Sequence, residues 1–66
     1  MRKPDIEFTQ DIRNFIAHFP DMSDPAPAFA DIILKRTPED KRVAFAKHTA
    51  NHGGLTWTVQ AWFEDR

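Results

Sequence analysis

The chain has no cysteine and no tyrosine, only two glycines, a single serine, and no surplus of either charge. Without cysteine there is neither a disulfide staple nor a thiolate metal centre, which fits a reducing compartment. The lone serine, Ser23, sits in the proline-rich stretch P-D-M-S-D-P-A-P of residues 20–27, where no base is held beside it. No G-x-S-x-G, P-loop or dinucleotide fingerprint occurs, and the G-G pair at 53 and 54 is too short to cradle phosphate. The sequence therefore assigns no catalytic residue, no cofactor and no metal. Nine Lys and Arg against ten Asp and Glu leave a formal charge of -1, which argues against a binder of phosphate backbones, since those concentrate a basic excess. Long apolar runs are missing too: nothing approaches the roughly 20 apolar residues of a membrane-spanning helix. The start, M-R-K-P-D-I-E-F, has no apolar segment of the kind a signal peptide needs. These absences predict a non-enzymatic cytoplasmic protein.

What is present is compact and aromatic. Sixty-six residues make one domain, 1–66, and six Phe with two Trp must fill its core, because a chain this short buries only roughly 60% of its unfolded surface.

The clearest local signal is L-T-W-T-V-Q-A-W-F at 55–63, which alternates Leu55, Trp57, Val59, Ala61 and Phe63 with Thr56, Thr58, Gln60 and Trp62. That is the period of a half-buried strand, in residue types that suit a pleated surface. Toward the N-terminus, Ile12, Phe15, Ile16 and Phe19 recur at helical spacing, with Thr9 as a candidate N-cap and Pro20 ending the run. Between these segments, A-D-I-I-L-K-R (30–36) and K-R-V-A-F-A-K-H-T (41–49) read as two further strands. Pro38 at the second position of a turn would join them, and Asn51, Gly53 and Gly54 would form a loop of positive φ. Pairing Thr49 with Leu55 sets Phe45 against Val59 and Val43 against Ala61. The expected fold is α+β: an N-terminal amphipathic helix packed on a three-stranded antiparallel β-meander.

A competing pattern runs through 38–52. Thr37 can cap a helix, with Pro38 in its first position, Glu39 and Asp40 in its first turn and Gly53 after its end. With this goes a local resemblance: W-F-E-D-R at 62–66 resembles the W-F-x-N-R of homeodomain recognition helices, and T-V-Q-A-W resembles the recognition segment of some helix-turn-helix proteins. Asp65 stands where the homeodomain has its adenine-reading Asn, and a carboxylate accepts only from cytosine. This all-α alternative implies a helix-turn-helix nucleic-acid binder using Lys41, Arg42, Lys47, Thr56, Thr58 and Gln60.

His48 and His52, four apart, would share a face only on a helix, with His18, Glu39 or Asp40 as further ligands. On strands they separate.

On the meander the open face of the sheet carries Trp62, with Arg42 directly across from it, Ile33 one strand further over, and Lys35, Gln60 and His48 around them. An aromatic beside a cation is the composition enriched at binding hot spots, although Arg42 stacked on the indole would also shield it. The functional expectation is a non-enzymatic protein-binding module, a small adaptor or inhibitor of the phage or mobile-element type. Its partner is a protein, with nucleic acid as the second choice. An edge strand, 30–36 or 55–63, also offers pairing with a partner's sheet or with a second copy.

Overall fold

The strand read at 55–63 forms as β3 (Thr56–Asp65) and is the middle strand of the sheet. The computed structural model describes residues 2–21 and 24–66; Ser23 therefore lies outside the described residues. The other elements are β1 (Ile6–Asp11), α1 (Ile12–His18), α2 (Ala26–Arg36) and β2 (Lys41–Asn51), with a 3₁₀ turn at His52–Gly54 joining β2 to β3. The class is α+β, with helices on one face of a three-stranded antiparallel sheet ordered β1-β3-β2.

One strand of that sheet is not the expected one. Residues 30–36 belong to α2, and the third strand is Ile6–Asp11, paired with β3 from Ile6↔Ala61 to Asp11↔Thr56. The run I-I-L is too short for period alone to separate strand from helix, and the helix has the stronger local support. Alanines 26, 28 and 30 favour it. Pro27 sits in the first turn, where it displaces no hydrogen bond. Asp31 and Lys35 pair at i,i+4 (2.9 Å). Thr37 closes the end by donating its hydroxyl to the Ile33 carbonyl (2.7 Å).

Thr9 consequently caps nothing; it lies in β1 opposite Thr58. The N-cap of α1 is Asp11, whose carboxylate accepts from the Arg13 backbone N–H at 2.7 Å. The helical alternative for 38–52 is overturned, since 41–51 is strand. Pro38 opens the turn that leads from α2 into β2, its carbonyl accepting from Lys41 N–H (3.1 Å). In the hairpin Gly53 and Gly54 take φ of 67° and 92° as expected, but the third positive value, 52°, falls on His52 rather than Asn51.

The core lies between the helices and the sheet. Phe29 and Ile33, one turn apart on α2, meet Ile6 of β1 and Val59 and Ala61 of β3, with Phe8, Val43, Trp57 and Phe63 packed around them. Aromatic edges do much of the filling: Phe29 packs edge-on to Trp57 (5.7 Å) and to Phe8 (6.1 Å), and Phe15 of α1 edge-on to Trp57 (5.6 Å). Ala26 and Ala30 of α2 line a hollow of about 190 Å³ together with Ala46 and His48 of β2, while the Arg36 guanidinium sits over Phe8 of β1 (5.2 Å). Neither helix lies on the opposite face, and Ala44 to Ala50 of β2 stay exposed on both faces. No helix among the described residues is long and apolar enough to cross a membrane.

Candidate functional site

The pairing of β2 with β3 changes register once. Val43 stands opposite Phe63, but Phe45 stands opposite Trp62, so Ala44 is an extra residue with no partner. Such a β-bulge reverses the parity of everything beyond it. Val43 keeps its place over the core, whereas Phe45, Lys47, Thr49 and Asn51 turn to the helix-free face. The register expected from the sequence, Phe45 on Val59 and Val43 on Ala61, does not form: Val43 is already two residues off ahead of the bulge, and beyond it Phe45 is three off and Thr49 faces Thr58 instead of Leu55.

On that open face an aromatic pair forms. Phe45, 58% exposed, lies with its ring centroid 5.6 Å from that of half-buried Trp62. The N-terminal arm fixes the indole: its N–H donates to the Arg2 carbonyl (2.9 Å), while the Arg2 guanidinium reaches the Phe63 carbonyl (2.6 Å) and the Asp5 carboxylate (3.0 Å). The Lys47 ammonium stands 5.7 Å from the indole centroid, within cation–π range. Arg2, Phe45, Lys47 and Trp62 enclose a mostly apolar groove of about 410 Å³. A second hollow of about 460 Å³ lies between α1 and α2, lined by Phe15, Phe19, Phe29 and Ile32 among others, and is the packing gap between two helices.

The residues expected at the site separate into two groups. Trp62, Arg42 and Gln60 share the open face. Arg42 is one row further along than anticipated, opposite Glu64, to which its Nε donates at 2.6 Å. Gln60 donates to the Glu7 carboxylate across β1 (2.5 Å). The other three leave the patch. Ile33 is 5% exposed and part of the core, because its segment is helical. Lys35 rides the outside of α2 in its pair with Asp31. His48 is on the helix side, its ring 5.5 Å from Phe29. Of the residues of the helix-turn-helix alternative, Arg42, Lys47, Thr56, Thr58 and Gln60 do share a face, on strands. His48 and His52, on strand and turn, do not stack, and no cluster of three or more His, Cys, Asp or Glu suited to a metal occurs among the described residues.

Phe45 and Arg2 are contributors that sequence reasoning missed, and Lys47 was expected only in the nucleic-acid alternative. Nothing in K-R-V-A-F-A-K-H-T marks Ala44 as a bulge, and Arg2 reaches Trp62 only because β1 brings the N-terminus beside β3.

The electrostatics of the sheet end are those of surface pairs. The Lys41 ammonium donates to the Asp65 carboxylate, holding the Lys41 pKa above its ordinary value and that of Asp65 below. The backbone N–H of Arg13, then its side chain, lower Asp11 likewise. No family model matches this chain, and no curated protein or solved structure is significantly similar to it.

Proposed function

We propose that this protein is a non-enzymatic binding module, an adaptor or inhibitor of the phage or mobile-element type, acting in the cytoplasm by occupying the surface of a larger protein. One observation carries this reading. In a chain whose small core depends on aromatics, Phe45 is placed on the solvent side of the sheet, against a Trp62 held in position by Arg2 and flanked by Lys47. An exposed Phe against an oriented, half-buried indole and beside cations has the make-up of an interface anchor.

The test is crosslinked capture from the native host, with Phe45→Ala and Trp62→Ala each compared with the unsubstituted protein after amide spectra have shown all three to be folded. A single dominant protein held by the unsubstituted chain and lost from both variants is the expected result. Equal capture by all three removes the open face as the working surface.

A further inference from the structure

β2 is an edge strand of 11 residues whose only ladder partner among the described residues is β3. Along its outer side the backbone N–H and C=O groups of alternate residues point away from the sheet, a template for one more strand. The bulge at Ala44 bends the strand, so the regular part of this edge runs from Phe45 to Asn51.

The chemistry of that edge is one-sided. Every charged residue of β2 is basic: Lys41, Arg42 and Lys47. Asp65 and Glu64 on β3 neutralise the first two. Lys47 pairs with no carboxylate among the described residues, and its ammonium lies by Trp62. Two residues away on the same face stands exposed Phe45, at the groove of about 410 Å³ that also has Arg2 on its rim. A strand laid on this edge meets an unneutralised cation and an aromatic wall at alternate positions.

We propose that the β2 edge and the Phe45–Trp62 groove together take an extended acidic peptide segment, which adds a fourth strand with a carboxylate opposite Lys47 and an apolar side chain opposite Phe45. This rests on the open face being the working surface and names what binds there. In antiparallel addition the segment reads carboxylate, any residue, apolar residue from its N-terminus; in parallel addition the order reverses. A second copy is the poorer occupant, because β2 carries no acidic residue: self-pairing centred on Lys47 sets the two ammonium groups directly opposite each other, and pairing centred on Ala46 sets each Lys47 opposite Phe45 with no carboxylate on the facing strand. A polyphosphate is poorer too, since it needs a row of cations and Lys41 and Arg42 are already held by Asp65 and Glu64.

The experiment is selection of random 12-residue peptides displayed on phage against the folded full chain, followed by NMR with a synthetic copy of the most enriched peptide. Enriched sequences are expected to carry Asp or Glu two positions from Trp, Phe, Leu or Ile. The peptide should shift the Trp62 indole N–H and slow hydrogen exchange of β2 amides between residues 45 and 51. Lys47→Glu should weaken it roughly tenfold or more and turn selection toward Lys and Arg. Peptides that shift Trp62 but show no acidic enrichment, or leave the β2 amides unprotected, overturn the strand-addition proposal while the open face remains a binding surface. If no selected peptide moves the Trp62 signal, both fall. Concentration-dependent protection of β2 without peptide would identify a second copy as the occupant, and a shift of Trp62 by oligo(dT) lost with added salt would identify nucleic acid; either result overturns the acidic peptide.

Discussion

Phe45 lies directly across the ladder from Trp62, the two rings tilted by 42° on the face that carries no helix. This contact exists because β2 holds one residue more than β3 between Val43 and Phe45. A regular ladder continuing the Val43 register would have turned Phe45 toward α2.

Removal of the extra residue is therefore informative. Deleting Ala44 leaves Val43 opposite Phe63 and Phe45 opposite Trp62 while converting the bulge into an unbroken ladder. The shortened chain should fold and keep the aromatic pair, seen as retained nuclear Overhauser contacts between the two rings. A straight, uninterrupted edge should self-associate more readily, measurable as a higher weight-average mass in sedimentation equilibrium. Loss of the ring contacts would show that the register is not set by the pairs flanking the bulge.

The aromatics of the two faces should differ in what they contribute to folding. Phe29, 3% exposed at the centre of the core, should cost about 3–5 kcal/mol on replacement by Ala, a large share of the stability of so small a domain. Phe45→Ala removes an exposed ring and its contact with Trp62, and should cost about 1 kcal/mol or less. Urea unfolding monitored by Trp fluorescence checks both. A Phe45→Ala loss equal to that of Phe29→Ala would mean that the open-face pair serves folding rather than binding.

Acid sensitivity should centre on Asp11 and Asp65. Both carboxyls are held below their ordinary range, Asp11 first by the Arg13 backbone N–H and Asp65 first by its hydrogen bond from Lys41. A lowered folded pKa contributes stability that is complete above about pH 4 and is lost as pH falls through the folded value. Lys41 is raised by the same partner, so its contribution is present below about pH 10 and is lost as pH rises through its folded value. Carboxyl carbon shifts followed by NMR titration should show both Asp midpoints below the usual range. Lys41→Met should return Asp65 to it and leave Asp11 unmoved.

The hairpin turn should resist side chains at its glycines. An added Cβ at Gly54 meets nothing within 4 Å, so Gly54→Ala is opposed by backbone conformation alone, at φ +92°. The expected cost is about 1–2 kcal/mol. His52 already holds a positive φ, and His52→Asn should leave stability equal or slightly higher, because Asn enters that region more readily. Thermal unfolding of the two variants measures the difference.

Local pattern carried the element with the longest clean period. The alternation from Trp57 to Phe63 and the pairing of 41–49 with it were legible because period 2 and β-favouring residues coincide there. Gly53 and Gly54 were legible for their backbone freedom, and Ile12 with Phe15 for their helical spacing. The strand at Ile6–Asp11 left a faint mark, Ile6 and Phe8 two apart among polar residues, which gains weight only once a central strand stands ready to pair with it.

What tertiary structure alone decided is which segment became the third strand and where the aromatic site lies. The sheet takes Ile6–Asp11 as its third strand, and its helix-side face then needs a cover that buries Phe29 and Ile33 together, which residues four apart do on a helix. The bulge at Ala44 is a matter of register between two strands, and register is a property of the pair. No single segment encodes it, so no reading of one segment could have turned Phe45 outward to meet Trp62.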